Sequence, residues 1–409
     1  MNAQILARPI NRLLVACWLF GAVVGASAPT LAFAASSGFT YAVVHSFLPK
    51  NDGKRYPQRL TDGVVLARDG WLYGVSSAGG ADDNGTAFRV WPETGEAVVL
   101  HRFGKTPGDG IDPVGPLIEQ ADGHFMGASA IGGAFGWGTV FRMHPEGHVR
   151  VLHDFEGGTV DGAFPDGPPI LATDGRLYGT TGGGGAHEHG TIYRLGPDRE
   201  YEVLYSFHGQ HRGDGDSPVA PLIQAPDGRF YGITREGGAH GRGTLFRIAA
   251  DRTYEVLHSF VNGPLGTHPI QPLMLASDGQ LYGSTNESGD FGYGTIFRVG
   301  TDGRPQTLHA VDPQVDGVRV TGALVEAPDR RLYYAMAFGP KPTKGAVMRI
   351  DPATGAAETL FQIQPGTDGT EIMGALAVAA DGSLFGTTFI SQRRNGSLGG
   401  GLVFRLNPN

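Results

Sequence analysis

The 409-residue sequence has a single cysteine, Cys17, and it sits inside an N-terminal apolar segment. Loss of that segment leaves no thiol, which excludes disulfides and thiolate metal centres from the rest of the chain. Lys/Arg-rich runs are also missing. The formal charge is −8, which disfavours nucleic acid and, more mildly, polyanions unless a local basic groove offsets it. Beyond the N-terminus no apolar stretch approaches the ~18 residues that span a bilayer. Helical periodicity is absent too, so a helical bundle is excluded.

The first residues carry an export pattern. Arg8 and Arg12 form a charged start, Leu13 to Ala26 is apolar, and Ala32-Phe33-Ala34 offers a cleavage site. This predicts a signal peptide over 1–34 and a domain over 35–409. Losing Arg8 and Arg12 takes the charge from −8 to −10. Leu14-Val15-Ala16-Cys17 resembles a lipobox, but Arg12 lies too close and the apolar run continues past Cys17. The last strand pattern ends just before Asn409, and no C-terminal anchor is expected. The expectation is an exported monomer, periplasmic or secreted, with no membrane span.

What the sequence has in quantity is glycine, 66 residues, and it is periodic. Asp-Gly-x-[Leu/Phe]-[Tyr/Met/Phe]-Gly starts at Asp69, Asp122, Asp174, Asp227, Asp278 and Asp381, with a degraded copy at Asp329. The intervals in chain order are 53, 52, 53, 51, 51 and 52 residues. Gly-Thr-x-[Phe/Tyr]-Arg follows from Gly85, Gly138, Gly190, Gly243 and Gly294, with weaker copies from Gly345 and Gly401. A third pattern, of the Leu-His-Ser-Phe type, closes each unit. Each unit fits four short strands. In the third they are Pro168–Thr173, Arg176–Thr181, Gly190–Leu195 and Tyr201–Phe207. Four strands per period of about fifty residues, without helix, predict an all-β, seven-bladed β-propeller.

The count predicts how the ring closes. The first-to-third strand sets number seven, and the outer-strand pattern also occurs seven times, but one copy comes first, Thr40 to Phe47. That strand is expected to complete the last blade beside Leu402–Leu406 and remove a free edge.

The repeat DGxLYGTTxxGGxxxxGTxFR…LHSF resembles the GloVer tandem repeat of secreted bacterial proteins. The resemblance covers Phe39 to Leu406, with eroded units around Asp329 and Asp381. It implies export and a repeat β fold, and it implies no particular reaction. Members often carry a C-terminal anchoring signal, which is not expected here.

Residues shared by every unit read as scaffold. The seven arginines Arg89, Arg142, Arg194, Arg247, Arg298, Arg349 and Arg405 are expected to pair with carboxylates or turn carbonyls. His45, His101, His153, His258 and His309 recur in the outer strand. The links between blades share DGxxP at Asp109, Asp161 and Asp214, with Asp316 and Asp368 keeping its first half. Such aspartates suit turns; calcium is the alternative, without the dense oxygen-ligand loop it usually needs.

Variable residues read as the candidate site. In a four-stranded blade, the second-to-third-strand loop and the link emerge on one face. Those segments carry Trp137, His187, His189, His240, Arg242, Tyr293, Arg212 and His268. One reading is a binding module for polysaccharide: Trp137 and Tyr293 stack on sugar rings, and His187, His240, Arg212 and His268 hold hydroxyls. Another is a polysaccharide lyase with His189 or His240 as base, Tyr293 as acid and Arg242 neutralising a carboxylate. A third is a platform for a cell-surface protein. His187 and His189 with His240 would offer three imidazoles to a metal, but only Glu188 adds a carboxylate, so none is assigned. The plain alternative is that the aromatics pack on neighbouring loops and the histidines are solvated.

Overall fold

The structure, a computed structural model, describes residues 38–47, 56–80, 82–300, 302–340, 344–363, 369–389 and 400–409. The segment read from sequence as a signal peptide and Asp368 lie outside these residues. Seven four-stranded antiparallel sheets follow one another along the chain. Blade one comprises Val64–Leu66, Leu72–Ser76, Thr86–Val90 and Ala97–Arg102. Blade two comprises Gly110–Glu119, Phe125–Gly132, Thr139–Met143 and Val149–Asp154. Blades three to six repeat this order, and the only helical element among the described residues is a 3-10 turn, Gly209–Arg212. The chain is a seven-bladed β-propeller.

Blade seven is built from both ends. Phe39–Ser46 lies antiparallel to Leu402–Pro408, with Tyr41 opposite Leu406 and His45 opposite Val403. Phe47 N donates to Gly401 O at 3.0 Å. The first and last strands thus cover each other's edges.

The core lies between neighbouring sheets. Tyr73, Val75 and Ala87 of blade one pack with Leu117, Phe125, Phe141 and Met143 of blade two. The shared motifs explain the fit. The glycine of each Leu-Tyr-Gly strand faces the aromatic ring of the next strand; a Cβ on Gly283 would lie 2.5 Å from the Phe297 ring. In blade six the pair is exchanged: Tyr334 stands opposite Met348. The motif tyrosines are buried and tied down, with Tyr178 Oη donating to Asp174 at 2.8 Å and Tyr282 Oη to Asp278 at 2.7 Å. The recurring arginines are held in the same way. Arg247 bonds Glu255 at 2.8 Å, Arg349 bonds Glu358 at 2.8 Å and Arg405 bonds Asp381 at 3.1 Å.

Every outer strand has a bulge at the same place. The register slips past Leu100, Leu152, Leu204, Leu257, Leu308, Leu360 and, in the closing strand, Val44. A bulge re-aims the side chains beside it. In three blades the histidine that follows reaches the aspartate of the coming link: His101 Nε2 to Asp109 at 2.9 Å, His153 Nε2 to Asp161 at 3.1 Å and His309 Nε2 to Asp316 at 2.7 Å. In blade three Tyr205 takes the place of histidine and donates to Asp214 at 2.5 Å. These four aspartates are buried. Their carboxylates also accept backbone N–H groups, from Gly104, Glu156, His208 and Asp312. They act as latches between blade and link, a role beyond turn formation, and calcium there would have to displace these donors.

Candidate functional site

The links and the glycine-rich loops share one face because they bond to each other. Gly110 pairs with Gly132, Gly162 with Gly184 and Gly215 with Gly237. One further bond repeats from blade to blade. The carbonyl of the residue ending a glycine-rich loop accepts the N–H of a residue in the next link. These bonds are Asp112 to Asn84 at 2.9 Å, Phe164 to Trp137 at 2.8 Å, Ser217 to His189 at 3.1 Å and His268 to Arg242 at 3.0 Å. The four donors have left-handed φ of 54°, 57°, 54° and 54°, and Arg59 and Arg319 are left-handed too. That conformation is uncommon and costly outside glycine. Its recurrence makes it a property of the fold. The backbone frame is constant while the side chains on it change from aromatic to imidazole to guanidinium.

His189 is the most firmly placed of the candidates. Its Nδ1 is 2.9 Å from Asp216 Oδ2, though off the line of a good hydrogen bond, so the contact is an ion pair when the ring is protonated. Ser217 Oγ donates to the other oxygen of Asp216 at 2.9 Å. The imidazole lies flat against Gly209, where a Cβ would come within 2.8 Å of ring atoms and where φ is +68°. His187 is exposed and stacks on His208 with centroids 4.0 Å apart. It is held below the ordinary imidazole range, first by loss of hydration and then by the charges of His208 and Arg212. His208 Nδ1 in turn lies 2.9 Å from Asp214.

The other candidates differ in their engagement. Trp137 is half-buried; its ring meets Phe164 edge-on at 5.0 Å and covers Gly157. It packs in the manner of the plain alternative. Arg242 is half-buried, and among the described residues its guanidinium has no hydrogen-bond or ion-pair partner. His268 Nδ1 is 3.2 Å from Glu287 Oε2. His240 and Arg212 are exposed. Tyr293 is 44% exposed, and Phe135 and Phe291 are exposed on equivalent loops. His189, Arg242 and Tyr293 occupy the same position in three consecutive blades. Among the described residues no bond or ring contact joins them to one another. His187, His189, His240 and Glu188 do not form a metal-ligating group among the described residues.

Sequence reasoning missed Asp216 and the pairing of Asp214 with His208. Asp216 had a signal: its siblings are Ile111, Ala163, Thr267 and Val318, so a carboxylate there departs from the repeat.

The chain belongs to the Gloeobacter/Verrucomicrobia repeat family, whose model matches residues 25–225 and 218–409. No curated protein matches it. Solved structures with a similar fold include virginiamycin B lyase from Staphylococcus aureus, with a TM-score of 0.57 and 11% identity over 90% of this chain and 99% of that one. Oligogalacturonate lyase from Vibrio parahaemolyticus gives a TM-score of 0.54 and 11% identity, covering 90% and 97%. A fungal alcohol oxidase of the AA5 family, in complex with copper, gives 0.54 and 13%, covering 90% and 76%. Identities this low establish the fold and carry no chemistry across.

Proposed function

We propose that this member of the repeat family binds carbohydrate through the loop-and-link face of its propeller. The reading rests on one observation: a constant backbone frame, repeated from blade to blade, carries side chains that no blade requires. Tyr293, Phe135 and Phe291 leave ring surface open to solvent, and such faces suit the C–H faces of sugars. Arg242 has a guanidinium free for a hydroxyl or carboxylate, and His189, seated against Gly209 beside Asp216, offers a donor or acceptor. Variable loops on a rigid scaffold are where recognition is usually carried. The leader read at 1–34 would deliver the protein to the compartment where such glycans lie.

Retention on a panel of insoluble plant and bacterial polysaccharides tests this. His189→Ala and Arg242→Ala should each weaken retention about tenfold or more. Their melting temperatures should stay within a few degrees of the parent. Full retention by both variants would sink the proposal for this face. Retention by no glycan would redirect the search to a protein partner.

A lyase is the second reading, favoured by His189 and Asp216. Asp216 lies beside Nδ1 and would stabilise the imidazolium that forms when Nε2 accepts a proton. In that step Nε2 takes the proton α to a uronate carboxylate held by Arg242. The C–H electrons form the C=C bond as the glycosidic C–O bond breaks, and Tyr293 protonates the departing oxygen. Appearance of unsaturated uronate absorbance with parent protein, and its loss in Asp216→Asn and Tyr293→Phe, would favour the lyase over simple binding.

A further inference from the structure

Blade two breaks a rule that its siblings keep. In the ladder between third and outer strands, the motif arginine faces a glutamate in three blades: Arg194 opposite Glu202, Arg247 opposite Glu255 and Arg349 opposite Glu358. In blade five the partner is Gln306, and in blades one and seven it is Val98 and Ala42. In blade two, Arg142 stands opposite Arg150. Like charges directly across an antiparallel pair are destabilising. Asp122 engages Arg142, but among the described residues Arg150 has no ion-pair or hydrogen-bond partner, and it is exposed.

The same corner gathers three histidines that no other blade has. His124 sits in the first-to-second-strand turn, where siblings carry Trp71, Arg176, Arg229, Gln280, Arg331 and Ser383. His144 and His148 bracket the third-to-fourth-strand turn. The His124 and His144 rings are 5.1 Å apart and the His144 and His148 rings 6.1 Å apart. Together with Arg142 and Arg150 they line an open cavity of about 310 Å³. These turns lie at the end of the blade opposite the glycine-rich loops. His144 Nδ1 accepts the N–H of Glu146 at 3.2 Å, so its remaining nitrogen, Nε2, is a donor. His124 Nδ1 is 3.3 Å from Asp122 Oδ1 but poorly aligned with it, and among the described residues it has no hydrogen-bond partner.

We propose that this cavity binds a tetrahedral oxyanion, a phosphate or sulfate group, either free or carried as a monoester on a larger molecule. Arg150 supplies the charge and a fork of donors, Arg142 adds to the field, and the imidazoles supply further N–H groups. A cation fits poorly. The unpaired Arg150 guanidinium would repel it, and among the described residues these histidines do not form a metal-ligating group. The chain is net negative, so a cationic cluster here is a local departure and not a consequence of overall charge. An anion between Arg142 and Arg150 would also remove the conflict that glutamate removes in blades three, four and six. The inference does not depend on the loop face.

The test is melting temperature and calorimetric titration with inorganic phosphate and inorganic sulfate, against sodium chloride at matched ionic strength. The parent protein should melt roughly 2–4 °C higher when the oxyanion is in large excess over its dissociation constant. Arg150→Glu should raise the melting temperature without phosphate, because it recreates the sibling pair, and should abolish the phosphate-dependent rise. His148→Ala should weaken binding without the first effect. A sugar phosphate monoester and a sulfated glycan distinguish the sources: tighter binding of either than of the free ion assigns the group to a larger ligand, and equal or weaker binding assigns it to the free ion. Stabilisation of the parent by phosphate no greater than by chloride, or an equal rise in Arg150→Glu, overturns the proposal.

Discussion

In four blades a buried carboxylate decides how the blade holds the next link. Asp161 is 5% exposed and accepts His153 Nε2 and the N–H groups of Glu156 and Gly162. Burial alone would raise its pKa, but the bonds from His153, Tyr201 and Glu156 outweigh that and hold it below the ordinary carboxylate value. The folded protein therefore takes up this proton less readily than the unfolded chain. The stability it contributes is full above the ordinary carboxylate range, near pH ~4, and is lost as pH falls through the lower folded value. Asp161→Asn should cost about 1–3 kcal/mol at neutral pH. Its melting temperature should also fall less steeply on acidification than the parent's. Parallel curves for the two proteins would show that the latch does not depend on charge. From sequence His153 reads as scaffold and Asp161 as a turn residue; the structure adds a latch between them. Their pairing was hidden because it depends on a bulge at Leu152, and a leucine among apolar neighbours gives no sign of a register slip.

At the scale of the strand, the fold is written as matched pairs. A glycine in the second strand leaves space that a ring from the third strand fills, and blade six reaches the same packing with Tyr334 against Met348. From sequence, that unit looks eroded; in the structure its two departures compensate. Gly283→Tyr alone should overpack blade five and cost about 3 kcal/mol or more. Adding Phe297→Met should recover a large part of that loss, because the pair then copies blade six. A double-mutant cycle in urea measures the coupling. Additive costs would mean that the exchange in blade six is coincidence. Period, strand count and blade number were legible because they repeat. The site was less so. His189 and Arg242 stood out as departures from the repeat, whereas Asp216 comes from the next link and its partnership with His189 exists only once neighbouring blades are docked.

For the whole molecule, the decisive device is the exchange of strands between the two ends. Val403 and Phe404 are buried at the centre of the blade-seven ladder, and Phe47 packs on Phe88 of blade one with ring centroids 4.9 Å apart. Removing residues 35–48 takes away an outer strand and that inter-blade contact together. The exposed edge of Leu402–Pro408 would then be free to pair with another copy. Beyond residue 34 the tryptophans are Trp71, Trp91 and Trp137, all in blades one and two, so their fluorescence does not report directly on blade seven. If the ring unfolds as one unit, the deletion should lower the fluorescence midpoint and the circular-dichroism midpoint together, and the protein should associate at high concentration. A blade that fails alone would leave the Trp137 transition where it was and split the two midpoints. In that case closure would protect an edge without holding the ring together.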